Sequence, residues 1–322
     1  MNIIYADVGG TKTHLALAEV QQGHVDTLFD KRYASNSFET FDALLEVFFK
    51  DIGDRRDISK ACFAVAGPVQ SHPGEQTAKI TNLPWALSST SLKANYNIDD
   101  VILINDFEAV AYGVLALNDD EIVTAQKGLK QEKGNIAVVG AGTGLGVAFI
   151  VYDDKQPRIV ATEGGHVDFA ARTPIEAEFC QWLRQRYGHA SYERVLSGPG
   201  LVDLYRFFSE RAHEHQSIDR DGAAISQGAE KGDELCQRTL TTFYDIYAAF
   251  ASNVALTTMA RGGVYIAGGI AAKTYPMVDR QRFSHHFCDK GKMAALTKNI
   301  PVHVVLNEQI GLQGACNKLL LS

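Results

Sequence analysis

The stretch Val101-Ile102-Leu103-Ile104-Asn105-Asp106-Phe107 sets four apolar β-formers in a row and ends them in an amide and a carboxylate. Such a run reads as a strand buried on both faces. A helical pattern follows at once, with Phe107, Val110, Ala111 and Val114 on one stripe. In open α/β sheets, ligands bind in the crevice at the carboxyl ends of the strands. A carboxylate there can accept a proton, and an adjacent amide can grip a hydroxyl. Asp106 could equally serve as the N-cap of the helix. The stretch alone leaves both readings open.

Upstream, Asn2 to Val8 reads as a strand, followed by Gly9-Gly10-Thr11 and a second strand from Thr13 to Ala18. Paired glycines between β runs are a hairpin signal. They also let backbone amides approach a phosphate, with the Thr11 hydroxyl beside them. Asp7 stands at the mouth of this turn, where a carboxylate can hold magnesium through water. A third strand is predicted over Thr27 to Tyr33, then a helix capped by Ser37 with Phe41, Leu44, Leu45, Phe48 and Ile52 on one stripe. Ala61 to Ala66 reads as a buried strand, Thr81 to Trp85 as a loop, and a helix starts near Ser88.

Downstream, a charged loop over Lys127 to Gly134 leads into Asn135 to Tyr152, again strand, Gly/Thr turn and strand. This second hairpin, centred on Gly140, Gly142 and Thr143, lies about 130 residues after the first and suggests an internal duplication. The glycine string also fits a loose dinucleotide fingerprint. A strand pattern from Gly146 to Tyr152 stands where that fold requires a helix, so the fingerprint is rejected.

Glu163-Gly164-Gly165-His166 places an acid and an imidazole on a glycine-shaped backbone. Zinc is a weak rival reading, because no cysteine or second histidine stands near. Thr173-Pro174-Ile175-Glu176 is a capping box opening a helix that should bury Phe179, Leu183 and Tyr187. Glu193 precedes a Gly198-Pro199-Gly200 turn and is either a ligand or a surface charge. Leu201 to Ala260 reads as mainly helical, broken by a polar loop around His213 to Asp221. Gly262 to Ile270 is a strand ending in Gly268-Gly269. Arg280 to Lys298 reads as surface helix and loop, Pro301 to Leu306 as a last strand, and a terminal helix begins near Ile310.

With 322 residues, 46% hydrophobic and 21% charged, the chain fits a globular protein with room for two domains. A net charge of −7 argues against nucleic acid as a partner. No apolar run approaches the ~20 residues that span a bilayer, and no secretory leader pattern is evident. The five scattered cysteines contain no CxxC and read as reduced thiols of a cytoplasmic protein.

Taken together, Asp7-Val8-Gly9-Gly10-Thr11, Ile104 to Phe107, Gly140 to Gly146, Glu163 to Phe169, Glu193 to Gly200 and Ile266 to Gly269 resemble the zinc-free bacterial ATP-dependent glucokinases of the actin/hexokinase superfamily. The resemblance runs essentially end to end. It implies a two-lobed, ribonuclease H-like α/β fold with duplicated mixed-sheet domains and a cleft between them. The lobes would be residues 1–115 plus 307–322 and residues 116–306, with the C-terminal helix packing on the first. It further implies ATP and glucose as substrates, magnesium as cofactor, a glycolytic role and a homodimer. Asp106 would be the general base. Asn105, Asp106, Glu163, His166 and Glu193 would hold the sugar hydroxyls. Asp7, Val8, Gly9, Gly10, Thr11, Gly140, Gly142 and Thr143 would hold the phosphates, with Gly268 and Gly269 at the adenosine end. Lys12 stands where the family usually has Asn. A kinase for another hexose, a non-catalytic sugar sensor and an actin-type scaffold are the alternatives. The last two lack, respectively, a DNA-binding module in this sequence and any need for the sugar set.

Overall fold

The computed structural model describes residues 1–53, 57–153, 156–212 and 220–322. Two compact units emerge, Met1–Leu117 with Gln309–Ser322, and Asn118–Glu308. Most of the polar loop expected around His213 to Asp221 lies outside the described residues.

The first unit runs β1 (Asn2–Val8), β2 (Lys12–Gln21), β3 (His24–Ala34), α1 (Phe41–Ile52), β4 (Ile58–Val65), β5 (Val69–His72), β6 (Glu75–Lys79), β7 (Ala86–Ser88), α2 (Ser89–Tyr96), β8 (Asp100–Asn105) and α3 (Asp106–Val114). Its main sheet has the order β3-β2-β1-β4-β8. The β1–β2–β3 pairs are antiparallel, and β1, β4 and β8 are parallel. Val101 and Leu103 pack with α1 on one face, while Ile104 joins a separate core on the other. That is why four consecutive apolar residues occupy β8. The strands β5, β6 and β7 form a small antiparallel sheet that hydrophobic periodicity does not reveal.

Two caps differ from expectation. Thr40, not Ser37, caps α1 and accepts from Ala43 N at 3.1 Å. Ser37 lies in a short 3-10 turn, Ser35–Ser37, one step too early. Asn105, not Asp106, caps α3: its Oδ1 accepts from Phe107 N and Glu108 N. The helix therefore does not depend on Asp106 for its cap.

The second unit contains β9 (Ile122–Gln126), β10 (Ile136–Ala141), β11 (Leu145–Tyr152), β12 (Pro157–Thr162), α4 (Pro174–Tyr187), α5 (Gly198–Arg211), α6 (Gly222–Glu230), α7 (Glu234–Thr258), β13 (Gly263–Ala267), α8 (Gly269–Thr274), α9 (Arg280–Cys288), α10 (Ala294–Thr297) and β14 (Val302–Val305). Its sheet order is β12-β11-β10-β13-β14-β9. The first five strands repeat the order and the strand senses of the first unit's sheet. The duplication suggested by the two hairpins is thus present in the topology. The helices α4, α5, α7 and α9 bury a core whose aromatic members include Phe179, Phe208, Phe243, Tyr247, Phe250, Phe283 and Phe287.

Three segments differ from expectation. Tyr187 is 41% exposed rather than core, although its hydroxyl donates to Oδ2 of the buried Asp203 at 2.8 Å. Gly198-Pro199-Gly200 is the first turn of α5 under a Ser197 cap, a position where proline's missing N–H costs nothing. Arg280 to Lys298 is not merely surface: Phe283 and Phe287 are buried against α7, while Arg282 makes two 2.7 Å bonds to Asp245.

The last helix, α11 (Ile310–Leu321), belongs to the first unit and packs on α3 and β1. Gly113 and Gly314 make the α3–α11 crossing close. A Cβ at Gly314 would land on the carbonyl oxygen of Ala109. Gly314→Val is therefore expected to destabilise this unit by about 1–3 kcal/mol or more, as overpacking against backbone does. Urea unfolding should show the midpoint falling, and an unchanged midpoint would mean the crossing can open without loss.

Candidate active site

Within the first unit, Val8, Val65 and Asn105 stand opposite one another across β1, β4 and β8. Asp7, Asn105 and Asp106 consequently gather at the carboxyl ends of three parallel strands, where α/β sheets bind ligands. Asn105 is braced as well as capping: its Nδ2 donates to Gly67 O at 3.1 Å. An amide has two N–H donors, so one remains for a ligand. Asp106 Oδ1 accepts from Phe107 N at 2.8 Å, which fixes the carboxylate at the positive end of α3. Burial pushes the Asp7 carboxyl up to about 6, and the charge of Asp106 adds to the rise.

The first hairpin turn is closed by a bond of its own and held from outside by Ser35. Gly9 N donates to Lys12 O at 3.0 Å. Ser35 Oγ donates to Gly9 O at 2.7 Å and pairs with Thr13 Oγ1 at 3.0 Å. Ser35 N donates to Thr11 O. A Cβ at Gly10 would stand 2.8 Å from Thr81 O, so the turn lies too close to that loop for a side chain. Thr11 is exposed at the tip, and Val8 is buried below it. Sequence reading missed Ser35 and Thr13, which carry no motif and meet across 22 residues.

In the second unit the Gly140 to Gly146 turn joins β10 to β11. Gly142 N donates to Gly144 O, and Gly142 O accepts from Gly198 N at 2.8 Å, bringing the start of α5 to the turn. Thr143 is exposed at the tip. Gly268, with φ +92°, lies against β10, where a Cβ would overlap Ala141 O. Gly269 opens α8 beside it. The buried Tyr247 hydroxyl accepts from Ala141 N at 3.1 Å, a second support not legible in sequence.

The Glu163/His166 pair sits on a short 3-10 turn, Gly164–His166. His166 Nε2 is 3.7 Å from Glu163 Oε2, and His166 Nδ1 is 3.7 Å from Glu193 Oε1. Glu193 Oε2 accepts from Leu145 N at 3.1 Å. Glu163 and His166 are exposed and Glu193 is partly buried. The structure thus brings Glu163, His166 and Glu193 together within the second unit. Asp7, Asn105 and Asp106 form a separate set within the first. Two carboxylates supply acceptors for hydroxyl groups, and an imidazole between them can supply a donor or an acceptor.

Among the described residues no group of three or more His, Cys, Asp or Glu side chains could hold a metal ion. None of the described helices is long and apolar enough to cross a membrane. Cys62, Cys180, Cys236 and Cys316 are buried free thiols and Cys288 is partly buried.

A family model described as Glucokinase matches residues 4–321. A glucokinase of a Nostoc species is 37% identical, covering 97% of each chain. The glucokinase of Cronobacter sakazakii is also 37% identical, over 97% of this chain and 95% of that one. A crystal structure of a glucokinase from an Antarctic psychrotroph superposes with a TM-score of 0.87 at 31% identity, covering 100% of this chain and 99% of that one. A ROK family glucokinase from Streptomyces griseus, solved with glucose and AMPPNP, shares the fold at a TM-score of 0.65 and 17% identity, covering 99% of each chain.

Proposed function

The chain belongs to the glucokinase family, and from that premise we propose that it transfers the γ-phosphoryl of ATP to the 6-hydroxyl of D-glucose. The observation that carries the reading is the meeting of Glu163, His166 and Glu193, with His166 3.7 Å from each carboxylate, beside a Gly/Thr hairpin. Asp106 is the general base that takes the hydroxyl proton as the phosphoryl group transfers in line. A placed base typically contributes about 10²–10⁴-fold. Asn105, Glu163, His166 and Glu193 hold the other hydroxyls, and such a set rejects a sugar lacking one of them. The turns at Gly9, Gly10 and Thr11, and at Gly140, Gly142 and Thr143, hold the phosphates, with Asp7 and Val8 at the base of the first turn. Gly268 and Gly269 take the adenosine end. Positioning and charge neutralisation supply most of the acceleration in phosphoryl transfer.

The division of labour follows the chain. Residues 1–115 plus 307–322 carry the base and the first turn, and residues 116–306 carry the second turn, the sugar set and the adenosine site. The compact units Met1–Leu117 with Gln309–Ser322, and Asn118–Glu308, support that division.

The residues present suit magnesium. Asp7 and Asp106 are two carboxylates whose charges oppose each other, and magnesium binds through one or two carboxylates, water and substrate phosphates. Asp7 would hold it through water, and the ion would neutralise phosphate charge. We further assign the enzyme to the cytoplasm, to the first step of glucose catabolism and to a homodimer, as its resemblance implies.

A coupled assay of glucose 6-phosphate formation tests the reading. Product should require both ATP and a divalent cation and should vanish with EDTA. Absence of product with glucose under saturating ATP and magnesium would overturn it. ATP consumption with a different hexose would move the specificity and keep the site.

A further inference from the structure

We propose that Glu193 couples the sugar set to the second hairpin, so that glucose and a nucleoside triphosphate each raise the other's affinity. The inference rests on the assignment of those two sets given above.

Glu193 touches both. Its backbone is tied to the sugar turn, with Glu193 N donating to Gly165 O at 2.8 Å and Tyr192 N to Val167 O at 3.0 Å. Its carboxylate reaches the hairpin, where Oε2 accepts from Leu145 N at 3.1 Å. The other oxygen, Oε1, faces His166 Nδ1 at 3.7 Å. That gap is too long for a hydrogen bond and leaves Oε1 with acceptor capacity toward a hydroxyl. A planar carboxylate cannot turn one oxygen without moving the other. A sugar hydroxyl on Oε1 therefore fixes the orientation of Oε2, and with it the Leu145 N–H at the end of the Gly140 to Gly144 turn. Nucleotide phosphates that order the turn would in the same way preset Oε1 for the sugar. Such coupling is reciprocal by thermodynamic necessity.

Gly144 offers a way to cut the strut without touching the charge. A Cβ there would stand 2.7 Å from Glu193 Oε2, and the carboxylate is the flexible partner that must yield. Gly144→Ala should push Oε2 off Leu145 N while Glu193 itself is unchanged in sequence. Glu193→Asp, one methylene shorter, should break the same link with no intrusion into the turn. Glu193→Gln keeps an oxygen acceptor for Leu145 N, and replaces the charge and the second acceptor by an NH2 donor.

The experiment is calorimetric titration of glucose with and without a non-hydrolysable ATP analogue and magnesium, and the converse titration. For the wild type the analogue should tighten glucose by about fivefold or more, with the same factor in the converse direction. Gly144→Ala and Glu193→Asp should bring the factor to about one, whereas Glu193→Gln should weaken glucose and keep a factor above one. A wild-type factor of one, or an undiminished factor in both uncoupling variants, would overturn the proposal. A wild type that binds the analogue but no glucose would overturn the functional reading itself. Binding of both ligands without coupling sinks only this inference.

Discussion

Asp106→Asn is expected to lower kcat by about 10²–10⁴-fold, the usual contribution of a positioned general base. Glucose affinity should stay within about tenfold, or some 1.4 kcal/mol. The substitution is close to isosteric, and an amide oxygen can still accept from Phe107 N as Asp106 Oδ1 does at 2.8 Å. Nor does α3 lose its cap, since Asn105 Oδ1 serves Phe107 N and Glu108 N. The affected property is thus proton acceptance rather than folding or sugar placement. Steady-state kinetics with calorimetric glucose titration separate these effects. A variant turning over at near wild-type rate would remove Asp106 from the base role. A variant that loses glucose binding along with turnover would make it a sugar ligand first.

The parts of this molecule that a sequence reader can find are those whose signal is local. The strand at Val101 to Ile104 announces itself because both faces are buried, and both hairpins do so because glycines interrupt apolar runs. Asn105 and Asp106 are both good capping residues, so their spacing could not decide which one caps α3. The braces behind the turns were invisible for a different reason. Ser35 meets Gly9 across 26 residues and Tyr247 meets Ala141 across 106, and a lone serine or tyrosine carries no motif. Phe283 and Phe287 were hidden by their polar neighbours Arg280, Arg282, His285 and His286, whose side chains dominate the composition of α9. Tyr187 misled in the opposite sense: it falls on the helical stripe, but it stays 41% exposed while its hydroxyl donates to the buried Asp203. The fold's repetition was suggested by two similar turns, yet only the matched strand orders give it physical content. The dual engagement of Glu193 could not be read at all, because its hairpin partner is a backbone N–H 48 residues away.

Asp7→Asn should stabilise the folded first unit at neutral and alkaline pH. In the folded protein burial, and secondarily the charge of Asp106, hold the Asp7 carboxyl up to about 6, against an ordinary value of 3.8. Below about pH 4 the group is protonated whether the chain is folded or not, and its burial costs no charge desolvation. As pH rises, the unfolded chain releases the proton first, so stability falls until the folded group also ionises near 6. Above that the full penalty is present, roughly 3 kcal/mol as an upper bound. The neutral amide of the variant has no proton to release and never incurs this penalty. The gain of Asp7→Asn over wild type should therefore appear between about pH 4 and 6, level off above about 6 and vanish below about 4. Urea unfolding at a series of pH values reads this directly. In an Asp106→Asn background the gain should shrink, because one source of the penalty has gone. The same variant should lose activity if Asp7 serves the phosphates through magnesium, trading stability for function as strained sites commonly do. A gain that is independent of pH would instead trace to side-chain packing, and would remove the Asp7 charge from the energetics of the site.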